Sequence, residues 1–481
     1  MRKSLVIILL LLVASAGFVG YGAAKIYKTN NQVEITEEII FGDSQAADGL
    51  EITFRTTYAD HSFWTTTQMV GSDRPPETEY EFSRKAQPMK YRYNNYGINY
   101  YLNYLPDSFF YDYEEDPEGL PRAYKELFDE LAAGEEREKT VRLADYVDYY
   151  PLEANFVFEN ASFSLHSDYS GSTYDHYFSG NGGHEEAVRV FNDYFKIPVL
   201  EDEQVSIHAS KALDGSFAGH GMNALYGGNL YEPATLIALG YDRCFFTIAS
   251  HSTQGQQMDM SLLPDGYGIF SFDYEMHYYD SGVAKGPLID TGSFCNAYPL
   301  DPSVRVCSLL LNEDQSLLYL FTMEEGYYWF TAIDTGTMEA STRMKVAPLS
   351  PKDPYGPSVY DCDDFICMNM GSINKIAVIS VSPDAEFTLE FVADTIIDDE
   401  HSMPSFPEPV FAFDGKRLAA GLSGFTGYEQ ANYDLLVFTA DGPQYWGHYK
   451  TSLMTGRHTK NTYRYDVKPL DYDSLSLKWA G

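Results

Sequence analysis

Positive charge is scarce in this chain. Lys and Arg number 33 against 70 Asp and Glu, a formal net charge of −37. Nucleic acid and anionic lipid carry the same sign, so both are poor partners for the body of the chain. Solubility at a crowded surface, or cation binding, fits the charge better. Cysteine is also scarce, with five residues: Cys244, Cys295, Cys307, Cys362 and Cys367. No two have C-x-x-C spacing, so neither a zinc site nor a dithiol redox site is indicated. An odd count leaves one thiol unpaired in a monomer. Cys295 with Cys307, and Cys362 with Cys367, have the spacing to close short loops. The preferred reading is mostly buried thiols that act as small hydrophobes.

Catalytic signatures are missing as well. The G-x-S-x-G elbow, H-E-x-x-H, the phosphate loop and the S-x-D-x-G-x-T-W box do not occur. Gly219-His220-Gly221 lacks the third glycine of a dinucleotide fingerprint. Paired carboxylates for glycoside hydrolysis are a matter of spatial separation. With 70 acids some pair always qualifies, so the count carries no information.

The chain does carry one long apolar run. Arg2 and Lys3 precede an uncharged stretch from Leu5 to Ala24. About 20 apolar helical residues cross a bilayer core of roughly 30 Å. Ala14-Ser15-Ala16 has the small-residue pattern of a cleavage site. Hydrophobicity continues past it through Phe18, Val19 and Tyr21, which favours an uncleaved anchor. Lys25 and Lys28 balance Arg2 and Lys3, so orientation rests on the signal-like order of basic, apolar and small residues and on the short N-terminal tail. That order points the bulk of the chain out of the cytoplasm; an inward-facing body stays open as the alternative.

Hydrophobic residues make up 44% of the chain, enough for a sizeable core. The 40 Tyr and 30 Phe lean toward β structure. Residues 25–48 are polar and acidic and read as a stalk or a first strand. Leu50 to Tyr58 alternates as a strand, and Phe63 to Val70 follows it. Residues 91–113 are dense in Tyr, as strands with cross-strand ladders or as a binding platform. Pro121 opens a helix with Tyr124, Leu127, Phe128 and Leu131 on one face, ending near Gly134. Glu185 to Phe195 forms a second helix. Asn155 to Phe158 and Ala161 to Leu165 read as strands between them.

The second half is more regular. Strands are expected at Arg305 to Leu311, Ser316 to Thr322, Tyr327 to Ile333 and Met338 to Val346, with Glu324-Glu325-Gly326 and Asp334-Thr335-Gly336 as turns. Four short antiparallel strands in about 42 residues have the length and rhythm of one propeller blade. Looser runs occur at 244–250, 267–274, 375–382, 387–392, 410–414, 417–423, 433–440 and 444–449. Residues 305–346, and less clearly 244–450, resemble bacterial β-propellers of the WD40-like, YVTN and quinoprotein kinds. In those, "strand, D-x-x-T-G, strand" closes a blade. Ala332-Ile333-Asp334-Thr335-Gly336 echoes the phrase with a shorter spacing. The repeated Trp of quinoproteins and the Trp-Asp dipeptide are absent. The resemblance implies an architecture that hosts enzymes, binders and scaffolds alike.

Two groups of side chains are candidate metal ligands. His166, Asp168, Asp175, His176 and His184 fall in one Ser/Gly/Tyr-rich loop and would suit zinc. Asp361, Asp363 and Asp364, and Asp398-Asp399-Glu400, are oxygen clusters of the kind that bind calcium outside cells. Neither has the spacing of an established motif, and solvated loops and surface turns are the commoner explanation.

The expected fold is mainly β: propeller-like repeated antiparallel sheets with a few inserted helices, preceded by one N-terminal transmembrane helix. Residues 1–4 form a cytoplasmic tail, 5–24 the signal-anchor, 25–48 a stalk, and 49–481 an extracytoplasmic domain whose part 49–200 is a candidate separate α+β piece. The expected function is a membrane-tethered binding or scaffold module without catalysis or cofactor, whose partners are the membrane itself and a surface glycan or envelope protein. The alternatives are a glycan hydrolase or lyase on a propeller, and a structural subunit of a membrane complex.

Overall fold

A computed structural model of the chain describes residues 2–30, 33–58, 62–82, 84, 89–102, 117–165, 174–176, 185–224, 235–251, 256–278, 284–349, 356–362, 364–382, 385–396, 409–423, 430–454 and 475–480. The fold is mostly β, built from several small antiparallel sheets of the propeller-blade type. One apolar helix, Arg2–Asn30, comes first. Its stretch Val6–Ala24 has 19 residues, a mean hydropathy of 2.3 and no buried part, and is long enough to cross a membrane.

The chain divides into two compact units, residues 1–91, 163–174 and 352–481 in one, and 92–162 and 175–351 in the other. The first unit holds three sheets. Ser358–Asp361, Phe365–Met370, Lys375–Val381 and Phe387–Asp394 form a four-stranded meander. Val410–Phe413, Leu418–Ser423, Gln430–Thr439 and Gly442–Met454 form a second, to which Ile35–Gly42 adds as a fifth, outer strand. Leu50–Tyr58, Ser62–Met69 and Glu77–Phe82 form a third, completed by Leu475–Trp479 from the far end of the chain. Of the two readings of residues 25–48, stalk or first strand, Ile35–Gly42 is the strand. Ile35–Ile39 and Phe41–Gly42 pair in register with Gly442–Met454, which a free stalk could not do.

The second unit repeats the meander twice, over Thr235–Leu239 to Ala284–Pro299 and over Arg305–Leu311 to Ala340–Pro348. The latter shows why sequence dictates the blade. Leu317–Glu324 and Tyr327–Asp334 are central strands buried along most of their length, so their apolar runs are nearly continuous; the Tyr327 end of the second reaches the surface. Ala340–Pro348 is an edge strand and alternates. Glu325 and Gly326 both take positive φ, 50° and 79°, as a two-residue type I′ hairpin requires. The Asp334-Thr335-Gly336 phrase works as a staple. The Asp334 carboxylate accepts the Gly336 and Thr337 N–H groups at 3.0 and 2.8 Å, and Thr335 Oγ1 donates to Gln315 O at 2.8 Å.

The helix Leu120–Glu130 starts at Pro121 and lays Leu120, Ala123, Tyr124 and Leu127 on Val205, Ile207 and Ala209 of a three-stranded sheet, Phe217–Ala224, Gln204–Lys211 and Glu136–Arg142. The helix Glu185–Tyr194 buries Phe191 among Phe156, Phe246 and Phe272, with ring centroids 4.8, 5.0 and 6.1 Å away. Asn155 to Phe158 and Ala161 to Leu165 belong to one long strand, Leu152–Leu165, rather than two. The Tyr-rich run is a strand over Met89–Leu102, and its residues 103–113 lie outside the described ones. All five cysteines are free thiols. Cys244 and Cys367 are buried, Cys307 and Cys362 half-buried and Cys295 exposed, so burial explains two of the five.

Aspartates cap the turns through a recurring D-x-S phrase. Asp214, Asp259, Asp301 and Asp314 each accept both the N–H and the hydroxyl of the serine two residues on, the latter at 2.6 Å. Bonds from those serine side chains come first in holding the four carboxyls below the usual range, followed by the serine backbone at Asp214, Asp301 and Asp314 and by the Tyr149 phenol at Asp259. A lowered folded value means the contribution is present above the unfolded value of about 4 and is lost as pH falls through the folded one.

Two predictions follow from this packing. Between pH 7 and 3, the melting temperature of wild type should fall more steeply on the acid side than that of a variant with Ser216, Ser261, Ser303 and Ser316 all changed to Ala; parallel curves would contradict the capping role. Trp479 packs in the core of the first unit, donates to Ala412 O at 3.2 Å and carries the Arg417 guanidinium 3.9 Å over its ring. Trp479→Ala should cost about 3–5 kcal/mol in denaturant unfolding, and a change below ~1 kcal/mol would count against closure by Leu475–Trp479.

Candidate functional site

The strand Gly442–Met454 concentrates the polar chemistry of the first unit, and the reason lies in its alternation. It runs between Gln430–Thr439 and Ile35–Gly42, with Tyr449 opposite Glu37 and His448 opposite Glu38. In Tyr445-Trp446-Gly447-His448-Tyr449-Lys450 the two-residue period sends the tyrosines to one face and Trp446, His448 and Lys450 to the other.

On the first face Tyr433, Tyr445 and Tyr449 are buried together. Tyr445 donates to Glu37 Oε1 at 2.5 Å, which frees its oxygen to accept from Tyr449 at 2.6 Å. Tyr449 stacks on Tyr433 with centroids 4.9 Å apart and planes 6° from parallel. The Tyr433 hydroxyl donates to Gln68 at 3.3 Å. Burial is the first cause that raises all three phenols above their ordinary range, so they stay protonated donors. Gly447 makes the arrangement possible. A Cβ there would stand 1.8 Å from the Tyr445 hydroxyl, because that ring lies across Gly447 to reach Tyr449.

On the second face, buried Asp434 uses one oxygen, Oδ1, to accept from Trp446 Nε1 and from His448 Nδ1, both at 3.0 Å. A carboxylate at Nδ1 fixes the tautomer of a neutral imidazole and turns the Nε2 lone pair outward. His448 is partly exposed, and Nε2 has no protein partner among the described residues. Lys450 and Glu38 pair beside it at 3.2 Å. The pair holds a proton and orients an imidazole. No hydroxyl or thiol joins His448 among the described residues.

Of the residues singled out from sequence as metal candidates, Asp175, His176, Asp361 and Asp364 are among the described ones. His166, Asp168, His184, Asp363 and the run Asp398-Asp399-Glu400 lie outside the described residues. Asp175 and His176 sit on the short strand Tyr174–His176, and Asp361 ends Ser358–Asp361. The Asp364 N–H donates to Cys362 O at 2.8 Å. Among the described residues no three His, Cys, Asp or Glu side chains gather as metal ligands. Sequence reading missed Glu37, Asp434, Tyr445 and His448. The available signal was the alternation of Tyr, Trp, Gly and His in one short strand. An apolar crevice between Glu185–Tyr194 and its sheet, lined by Val190, Phe191, Phe272 and Phe294 among others, is too narrow for water and is a packing seam.

No family model matches the chain, and no curated protein matches it. Among solved structures, a putative 6-phosphogluconolactonase from Bacteroides fragilis is similar at 10% identity and TM-score 0.30, over 84% of this chain and 98% of that one. The periplasmic gluconolactonase PpgL of Pseudomonas aeruginosa gives 12% and 0.29, over 89% and 99%. A β-propeller domain, Cps50 (Swd1) of Myceliophteria thermophila, gives 10% and 0.22, over 55% and 83%. Likeness at this level says nothing about activity.

Tyr445→Phe removes both contacts of that phenol from the buried cluster. It should cost about 1–3 kcal/mol in urea unfolding. Gly447→Ala should cost more, since the ring must leave its place. Midpoints within error of wild type for both would contradict the tyrosine lock.

Proposed function

We propose that this chain is a membrane-tethered binding or scaffold module whose folded body lies outside the cytoplasm and performs no catalysis. The observation that carries the reading is the exposed apolar helix joined to a fixed strand. Val6–Ala24 spans about 28 Å at ~1.5 Å per residue, close to a bilayer core of ~30 Å. Phe18, Val19 and Tyr21 are each more than two-thirds exposed, which water penalises and lipid does not. The signal-like order of basic, apolar and small residues supports a cytoplasmic N-terminus.

The tether is short. Helix Arg2–Asn30 is followed by strand Ile35–Gly42 after residues 31–34 alone. At ~3.3–3.6 Å per residue, that gap spans at most about 14 Å. The strand is then held by Gly442–Met454 and the tyrosine lock, so the body stays near the bilayer surface. The formal charge of −37 suits an aqueous face crowded with other envelope components, and surface glycans or envelope proteins are the ligand classes that fit it. The Asp434–His448 pair has the geometry to bind polar ligands, and among the described residues no hydroxyl or thiol joins it.

Protease added to intact cells that express the chain with a C-terminal tag should remove the tag, while the protein fractionates with membranes. A protected tag in the membrane fraction would reverse the orientation and overturn the proposal. A tag in the soluble fraction would overturn the tether.

A further inference from the structure

A binding module needs a ligand surface, and the sheet of residues 305–348 carries one on its outer edge. Tyr327 and Trp329 lie two apart on one face of Tyr327–Asp334. On the neighbouring edge strand, Lys345 stands opposite Trp329 and Arg343 opposite Thr331. The Arg343 guanidinium carbon is 4.3 Å from the Trp329 ring centroid. The Lys345 ammonium is 4.3 Å from that of Tyr327 and 5.0 Å from that of Trp329. Arg343 also donates to Glu324 Oε1 at 2.6 Å, Thr322 donates to the same oxygen at 3.0 Å, and the Trp329 indole donates to Glu324 O at 3.3 Å. Arg343, Lys345 and Tyr327 are exposed.

The rings hold two long, flexible cations in place before any ligand arrives, which removes most of the ordering cost of binding. Arg343 commits one nitrogen to Glu324 and keeps donors free. Lys345 has no carboxylate partner among the described residues, in a chain where acids outnumber bases 70 to 33. The surface therefore asks for an anion. A polyanion such as nucleic acid or an anionic bilayer meets the repulsion of the whole chain. A single carboxylate on a neutral carrier meets chiefly the two cations and the one carboxylate Glu324, a local surplus of positive charge, since more distant charges are screened beyond a Debye length of about 8–10 Å. The Glu324 carboxylate and the Tyr327 hydroxyl stand beside the cations as partners for neutral hydroxyl groups. We infer that the face made by Tyr327, Trp329, Arg343, Lys345 and Glu324 binds a sugar carboxylate, a uronic-acid unit within an otherwise neutral glycan. This rests on the binding role proposed above and names its ligand class.

The test uses the full chain in detergent micelles and calorimetric titration with three probes: a glucuronic-acid-terminated disaccharide, the same disaccharide ending in glucose, and a short acidic peptide. Wild type should bind the uronate probe at least tenfold more tightly than the neutral one. Lys345→Gln and Arg343→Gln should each lose at least tenfold in uronate affinity with unchanged melting temperature, and Tyr327→Leu should lose affinity through a freed Lys345. Equal binding by wild type and Lys345→Gln, or no binding by wild type, overturns the inference, and so does Lys345-dependent binding of the peptide at equal strength. Failure here with the tag still shaved from intact cells sinks the ligand assignment alone. A protected tag sinks the tethered outward module whatever the titrations show.

Discussion

The first unit depends on one constraint: the two ends of the chain must pair with each other. Ile35–Gly42 completes the sheet of 410–454, and Leu475–Trp479 completes the sheet of 50–82. Glu37 and Tyr445, which bond across the first of these seams, are 408 residues apart. Closing a loop of that length costs about 5 kcal/mol in chain entropy by the logarithmic rule. Local hydrogen bonds on one strand do not offset that easily, so the seams are reinforced by buried side chains. The tyrosine lock is one reinforcement. Arg417 is another: its guanidinium lies over Trp479 and donates to Ala46 O and Asp48 O at 3.0 and 3.1 Å, so one side chain from the turn before Leu418–Ser423 clasps both terminal segments.

The same economy of rings recurs in the second unit. Phe156, Phe191, Phe195, Phe246, Phe270, Phe272 and Phe294 meet edge-on or offset with centroids about 5–6 Å apart, the arrangement their quadrupoles favour. Where rings reach the surface at Tyr327 and Trp329 they hold cations instead of each other. Aromatic residues thus serve as core, clasp and platform according to what lies on their open face. The high Tyr and Phe content has this structural basis before any ligand is considered.

Much of the architecture was legible wherever its causes are local. The four strands of 305–348 were read to within about two residues, because hairpin turns at Glu325-Gly326 and Asp334-Thr335-Gly336 announce themselves in the sequence. The helix at Pro121 was equally plain. Partners far apart were not legible. Nothing in the acidic stretch near Glu37 says that it pairs with residues near Tyr449, so stalk and strand looked alike. The Asp434–His448 pair escaped for the same reason: its two residues are 14 apart and meet only once the hairpin forms. Cysteine burial was misjudged at Cys295, since exposure depends on which face of a strand is covered. The metal candidates drew on clusters along the chain, and most of their members, His166, Asp168, His184, Asp363 and Asp398-Asp399-Glu400, lie outside the described residues.

The pairing of the two chain ends is the claim on which the rest stands, and amide hydrogen exchange on the full chain tests it most directly. If the ends are locked, amides of Ile35–Gly42 that face Gly442–Met454, and those of Leu475–Trp479 that face Leu50–Tyr58, should exchange as slowly as amides in Gln430–Thr439. Exchange of either terminal strand within seconds, while the inner strands stay protected, would show that the ends fray independently and would contradict the account.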